Sequence, residues 1–325
     1  MKILFTSSLF TPFISEDLTL LRKHFDVDHL KTLGASAPLK IIAGVRRADL
    51  TFTWFASVYS FFVVQTAALF GKRSIVVIGG VDAARVPEIG YGIWLSPWKA
   101  ILVRNALRKA FRVLPVDPSL GREVARLAEY DGENIRWVPT GYDASFWTPR
   151  GPKERHVLTV AACHDEGRLK AKGIDFLISC ARRMPGTRFV LVGLMSPVIE
   201  RVRVDAPANV EIIPFANRED LLRQYQRARV YLQPSMTEGL PNSLCEAMLC
   251  GCIPVGTRVG GIPTAIGDAG FLVPYGDVEK TTAALETALG ADGVAGQKGR
   301  ERIASEFTLE RRERALLEII GEAAA

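Results

Sequence analysis

Histidine and cysteine are scarce in this chain of 325 residues, at four and five respectively. An odd number of cysteines argues against a disulfide framework. Cys163, Cys180, Cys245, Cys250 and Cys252 therefore read as reduced cytosolic thiols. Three of them lie close together, but no His stands near in sequence to complete a zinc set. Around Gly251 they read instead as small residues at a helix-to-strand turn. No Gly-x-Gly-x-x-Gly follows the first apolar strand, which argues against a dinucleotide-dependent dehydrogenase. RNP-like aromatic motifs and zinc-finger spacings are also missing, so nucleic acid is not an expected partner. There is no short-period repeat, and no low-complexity tract beyond Ala323-Ala324-Ala325. Met1-Lys2-Ile3-Leu4-Phe5 runs directly into a first strand with no leader-like segment, and a cytoplasmic protein is expected.

What is present is an ordinary globular composition, 48% hydrophobic and 23% charged, with a formal net charge of +6. The excess is uneven. Up to Trp147 there are 18 Lys and Arg against 13 Asp and Glu, and the remainder holds 23 against 22. A moderately basic N-terminal half suits anionic headgroups or phosphorylated acceptors. Residues 51–70 carry no charge and have the length and apolarity of a membrane span. They divide more naturally into a strand (Leu50–Trp54) and a packed helix. A second buried strand (Ile75–Ile78) follows, making one βαβ unit.

This alternation continues along the chain. Strand-like runs fall at Lys2–Phe5, Val27–His29, Leu50–Trp54, Ile75–Ile78, Arg112–Val116 and Ile135–Val138. A second series runs Val157–Val160, Arg188–Val192, Val210–Ile213, Val230–Gln233 and Ile253–Val255. Helical runs lie between them, among them Asp17–His24, Trp98–Ala110, Ser119–Glu129, Ile174–Arg183, Arg218–Arg227, Ser243–Leu249 and Val278–Leu289. The pattern predicts an α/β protein with two Rossmann-like, doubly wound parallel-sheet domains. The Pro/Gly cluster Thr148-Pro149-Arg150-Gly151-Pro152 places the junction, giving domains 1–148 and 149–308 and a last helix within 309–325.

The richest segment is Pro234-Ser235-Met236-Thr237-Glu238-Gly239-Leu240-Pro241-Asn242-Ser243-Leu244-Cys245-Glu246-Ala247-Met248. Gly239 and Pro241 break helix. Asn242 or Ser243 can then cap a helix through Leu244, Ala247 and Leu249. Glu238 is thus placed on a loop at the helix mouth, and Glu246 about one turn inside. A helix start suits a phosphate, and a carboxylate just inside it can accept from a ribose diol. The segments Arg168–Gly173, Gly193, Pro214-Phe215, Glu238 and Gly260-Gly261 each follow an expected strand, where open α/β sheets bind ligands.

The segment resembles the Glu-x7-Glu signature of the family 4 retaining glycosyltransferases. Further stretches fit in order: Val138-Pro139-Thr140-Gly141-Tyr142-Asp143 with Phe146 and Pro149, Arg168 to Asp175, Phe189 to Gly193, and Pro254 to Pro263. Together they span about residues 135–285. The resemblance implies the GT-B fold, two Rossmann-like domains facing across a cleft, with the last helix crossing back to the first. It implies a diphosphate-binding loop on which Lys172 and Arg168 stabilise the leaving group, Lys170 competing with Arg168. It places Glu238 at the donor sugar and Glu246 at the ribose. Backbone at Gly239, Leu240, Pro241, Asn242 and Ser243 lies at the phosphates, Gly193 nearby, and Pro214 and Phe215 border the base.

The implied reaction moves a hexose from a UDP- or GDP-sugar to a hydroxyl acceptor by same-face substitution, needing no metal, cofactor or protein nucleophile. Asp26-Val27-Asp28 mimics a metal-binding Asp-x-Asp but sits in an expected strand. The N-terminal half departs from the family: no Gly-Gly-x-Glu-like loop follows the first strand, and Thr6–Asp17 stands there. Asp82 after Gly79-Gly80 is the candidate catalytic group on that side, or equally a capping residue. Arg104, Arg108 and Arg112 recur every four residues, as a peripheral membrane stripe or a plain solvated face. The alternatives to a transferase are a catalytically silent sugar-nucleotide-binding subunit and a GT-B epimerase or hydrolase.

Overall fold

The computed structural model describes residues 1–34 and 36–325. The chain divides into two compact units, Met1–Thr140 with Leu309–Ala325, and Gly141–Thr308. The division precedes the expected 148/149 junction because residues 141–149 pack on the second unit. The Tyr142 amide donates to Phe307 O at 2.9 Å, and the Trp147 ring meets Tyr225 edge-on. Arg300 donates to Ala144 O and Trp147 O.

In the first unit the elements are β1 (Lys2–Ser7), α1 (Pro12–Arg22), β2 (Asp26–Lys31), α2 (Ala37–Arg47), β3 (Leu50–Trp54), α3 (Val58–Leu69), β4 (Arg73–Ile78), α4 (Pro97–Lys109), β5 (Arg112–Pro115) and α5 (Pro118–Ala128). Its parallel sheet has the order β2-β1-β3-β4-β5. β3 is buried at every position, as a strand covered on both faces must be. Its hydroxyls are satisfied sideways: Thr51 donates to Ser74 and Thr6 to Thr53, each at 2.8 Å. Residues 51–70 are thus the strand and helix of a βαβ unit that β4 completes, and no helix among the described residues is long and apolar enough to cross a membrane. Ser57 and Ser60 close a capping box at the start of α3.

Ile135–Val138 runs parallel beside β5 but completes only one bridge, Val113 to Ile135. Val113 donates to Asn134 O, and Arg136 and Val138 donate to Val113 O and Pro115 O, while Pro115, lacking an N–H, cannot return the bond of the next bridge. The last helix, Leu309–Ala324, packs on α1.

The second unit holds β6 (Glu154–Cys163), α6 (Glu166–Ala171), α7 (Ile174–Arg183), β7 (Arg188–Leu194), α8 (Val198–Asp205), β8 (Val210–Ile213), α9 (Arg218–Arg227), β9 (Ala228–Gln233), α10 (Asn242–Leu249), β10 (Ile253–Thr257), α11 (Ile262–Ile266), β11 (Phe271–Val273), α12 (Val278–Gly290) and α13 (Gly293–Glu306); the last helix is α14. The sheet order is β11-β10-β9-β6-β7-β8, all parallel. From β6 the crossovers run one way to β7 and β8. From β9 they run the other way to β10 and β11. The topological switch point therefore lies between β6 and β9, where such sheets bind ligands. Most of the expected loop 168–173 is helical instead: Asp165 caps α6 by accepting from the Arg168 amide at 2.8 Å.

Candidate functional site

The switch point brings Lys172 and Glu238 together. Lys172 follows α6 and the end of β6, and Glu238 follows β9. Lys172 Nζ lies 2.7 Å from Glu238 Oε2, with the two side chains 31% and 12% exposed. The approach depends on two glycines. Gly173 has φ +68°, and a Cβ there would run into the Pro234 carbonyl. Gly260 has φ +51°, and its Cβ would run into the Glu238 carbonyl. Only glycine allows both the left-handed backbone and the close contact. The Met236 amide donates to Ala171 O at 2.8 Å, and the Gly261 amide to Gly239 O at 3.0 Å, so the three loops are laced together.

Glu238 Oε2 takes two further donors, Ser235 Oγ at 3.0 Å and Gln233 Nε2 at 3.2 Å. Gln233 Nε2 also reaches Ser235 Oγ at 2.8 Å, and both residues are buried. Behind them the Tyr231 hydroxyl bridges Gln233 Oε1 and Val160 O. Burial holds its pKa well above the ordinary tyrosine value, so it stays a neutral donor. One oxygen of Glu238 is thus clamped from inside the unit by a cation and two neutral donors.

The α10 helix starts one residue before the expected Ser243: its cap is Pro241, and the two expected caps, Asn242 and Ser243, are its first two helical residues. Pro241 takes extended backbone (ψ 108°), which ends the loop and starts the helix one residue early. Asn242, Ser243 and Leu244 therefore carry first-turn amides without intrahelical acceptors. Tyr142 Oη donates to Asn242 Oδ1 at 2.8 Å, and Ser243 Oγ approaches Val160 O at 3.5 Å. Glu246, one turn in, accepts from the Tyr225 hydroxyl at 3.0 Å. Tyr225 is fully buried, and burial followed by the Glu246 charge raises its pKa well above the usual range.

Gly193 lies inside β7 rather than beyond it. Its amide donates to Pro214 O at 2.9 Å, and at φ +106° a Cβ would meet Ala161 O at 2.9 Å. Pro214 and Phe215 follow β8, with Phe215 76% exposed. Leu240 is buried and Gly239 and Pro241 complete the loop.

Arg168 is not brought to this pair. Its guanidinium faces Asp165, Nε to Oδ2 3.5 Å, and Lys170 is exposed. Asp82 lies in the first unit and is engaged with backbone. Its carboxylate accepts from the amides of Ala56 (3.0 Å), Gly79 (3.1 Å) and Gly80 (2.7 Å). Burial outweighs these bonds and raises its pKa to about 6. It braces the β3 and β4 loops, which is the capping alternative.

Asp26 and Asp28 flank Lys2, at 3.6 and 3.1 Å. Among the described residues there is no group of three or more His, Cys, Asp or Glu that could hold a metal. Cys245, Cys250 and Cys252 are buried free thiols; burial pushes Cys245 up to about 12. Sequence reading missed Gln233, Ser235 and Tyr225. Ser235 stood in the Pro-Ser step before Glu238, but nothing in spacing ties Tyr225 to Glu246.

Residues 155–291 match the family model of glycosyl transferases group 1. The C-terminal unit resembles the group 1 glycosyl transferases. The matched span contains Lys172, Glu238 and Glu246 and lies wholly within the second unit. A D-inositol 3-phosphate glycosyltransferase of Mycobacteroides abscessus is 30% identical over 213 residues, covering 60% of this chain and 48% of that protein. The chain thus spans about half the length of that relative. An alpha-maltose-1-phosphate synthase of Mycolicibacterium smegmatis is 26% identical over 316 residues, covering 84% of this chain and 79% of that one. Among solved structures, sucrose-phosphate synthase of Thermosynechococcus elongatus aligns with TM-score 0.81 at 16% identity, covering 99% and 98% of the two chains. Anabaena HepE in complex with UDP-glucose aligns with TM-score 0.80 at 15% identity, covering 99% and 100%. The fold is the GT-B fold of these glycosyltransferase structures, α/β with two parallel sheets.

Proposed function

We propose that the protein is a retaining glycosyltransferase that moves a hexose from a UDP- or GDP-sugar to a hydroxyl acceptor. The observation that carries this reading is the Lys172–Glu238 pair at the β6/β9 switch point, with Glu246 one turn into the adjoining helix. The diphosphate lies at Lys172 and the first-turn amides of α10, the ribose at Glu246, and the sugar at Glu238. As the glycosidic bond breaks, negative charge grows on the diphosphate. A cation and helix-end amides already aimed there stabilise the transition state more than the ground state. No protein nucleophile is assigned: the acceptor hydroxyl attacks from the face the diphosphate leaves and passes its proton to the departing diphosphate oxygen, which retains the anomer. UDP is favoured by HepE, whose structures contain UDP and UDP-glucose. A phosphorylated acceptor is the class named for the D-inositol 3-phosphate glycosyltransferase.

The test is a panel of UDP-, GDP-, ADP- and dTDP-sugars, with and without EDTA, followed by proton NMR. Hydrolysis or transfer of one donor with its anomer kept, and unchanged by EDTA, is the expected result. Inversion, or loss of turnover in EDTA, overturns the mechanism. Saturable donor binding without turnover, with phosphorylated polyols present, moves the reading to a silent subunit.

A further inference from the structure

We propose that the outer face of α2, α3 and α4 docks on an anionic lipid surface. These helices pack side by side, α2 on α3 and α3 on α4. Their adjacent ends are tied. Lys72, just after α3, donates to Val45 O and Arg46 O of α2, and Lys109 of α4 reaches Gln65 of α3 at 2.9 Å.

The first observation is apolar. α3 is hydrophobic on every side, as a helix buried all round would be. Only part of it is buried, through Val63, Val64 and Ala67. Its other side leaves Phe62 38%, Leu69 84% and the capping Phe70 46% exposed. The neighbouring helices likewise expose Leu39 and Ile42 on α2 and Trp98 and Ile101 on α4. Seven large apolar side chains exposed on, or at the end of, three adjoining helices are more than singly scattered surface residues and mark an interaction site.

The second observation is charge of one sign. The three helices carry seven Lys and Arg and no Asp or Glu. Arg104 and Arg108 are turned to the end of α5, where they bond Glu129 and the carbonyls of Leu127, Ala128 and Glu129. Arg112 pairs with Glu322 of α14. The every-fourth-residue arginine stripe is therefore engaged within the unit. Lys40, Arg46, Arg47 and Lys99 form no ion pair among the described residues, and Lys99 lies 5.5 Å over the Trp98 ring. Large aromatic and aliphatic groups interspersed with unpaired cations on the same helices suit the headgroup layer of an anionic bilayer. Trp98 is the residue type that settles at such a boundary. The inference does not depend on the proposed reaction.

The full chain is sedimented with vesicles of phosphatidylcholine alone, or with about a third phosphatidylglycerol. The expected result is binding to the anionic vesicles, weakened about tenfold or more in about 1 M salt, where the screening length is about 3 Å. A blue shift of tryptophan emission, lost in Trp98→Phe, accompanies it. A Phe62→Ser/Leu69→Ser/Ile101→Ser variant and a Lys40→Glu/Arg46→Glu/Lys99→Glu variant each lose binding by about tenfold or more while keeping the parent urea midpoint. Failure to bind anionic vesicles overturns the proposal. So does binding that neither variant weakens. A concentration-dependent dimer abolished by the serine variant, without vesicle binding, assigns the face to a second copy of the chain instead.

Discussion

Lys172 and Glu238, 66 residues apart, meet at 2.7 Å, and Ser235 and Gln233 hold the same Glu238 oxygen from behind. Both partners therefore sit pre-aligned on a clamped scaffold. Lys172→Ala is expected to lower kcat on the order of 10²-fold or more, the usual cost of removing one aimed stabiliser, with a smaller change in nucleotide affinity. Gln233→Leu keeps Lys172 but removes a donor from Glu238. It is expected to act on nucleotide-sugar turnover and not on binding of the bare nucleotide. Calorimetry with nucleotide and with nucleotide-sugar separates the two, and equal losses for both ligands would contradict the assignment.

The Tyr225 hydroxyl orients Glu246. Glu246→Ala is expected to weaken nucleotide binding by about 10- to 100-fold, and Tyr225→Phe by several-fold. The 2′-deoxy nucleotide should bind Glu246→Ala as well as the ribonucleotide does. Persistent discrimination in that variant would remove Glu246 from the ribose.

Gly260 combines a left-handed φ with contact against the Glu238 carbonyl, whereas Gly276, at φ +82°, has open space within 4 Å of where a Cβ would stand. Gly276→Ala is expected to cost only backbone strain, about 1 kcal/mol or a little more. Gly260→Ala should cost more and also lower donor turnover, because the loop carrying Glu238 must move. Urea unfolding paired with turnover checks this, and matching behaviour of the two variants would argue against it.

Arg312 of α14 is buried and grips Asp17 of α1, Nη2 to Oδ2 2.7 Å and Nε to Oδ1 3.0 Å. Trp54 Nε1 donates to the same carboxylate at 2.9 Å. Arg312→Met strands a buried carboxylate and is expected to cost about 3–5 kcal/mol. Asp17→Asn combined with Arg312→Met should recover part of that loss. A single-variant urea midpoint equal to the parent's would show the pair to be dispensable.

Two buried groups give opposite pH dependence. Asp82 is raised to about 6, so the folded first unit holds its proton more tightly than the unfolded chain. Its contribution is complete below the ordinary carboxylate value and is lost as pH rises through about 6, an effect of about 3 kcal/mol. His156, buried with both ring nitrogens lacking hydrogen-bond partners, is lowered to about 4 by burial and then Arg188. Its contribution is complete above the ordinary histidine value and is lost as pH falls through about 4. His156→Phe should flatten stability between those values on the acid side, and Asp82→Asn should flatten the opposing slope. Urea midpoints from pH 4 to 7 read both, and unchanged profiles would refute them.

Much of the fold was legible from local pattern: Leu50–Trp54, buried at every position, reads as one apolar run, and the helices Ile174–Arg183 and Arg218–Arg227 and the strand Val210–Ile213 also fall at the expected residues. Ile135–Val138 does lie along β5 as an extended partner, but its ladder stops at one bridge because Pro115 has no N–H, a consequence of register that apolarity does not show. The expected loop at Arg168 became a helix because Asp165 caps it, and that turned Arg168 away from Glu238.

The order of residue types along the chain determined the alternating elements, the helix mouth between Glu238 and Glu246, and the lack of charge across residues 51–70. Those are local properties, set by period, turn chemistry and capping. Only the tertiary structure decided which carboxylate faces which cation, that Gln233, Ser235 and Tyr225 support the site, and that one side of α3 is left uncovered. These pairings depend on strand order and on close approaches at Gly173 and Gly260, and a distance across a sheet is not encoded in any spacing along the chain.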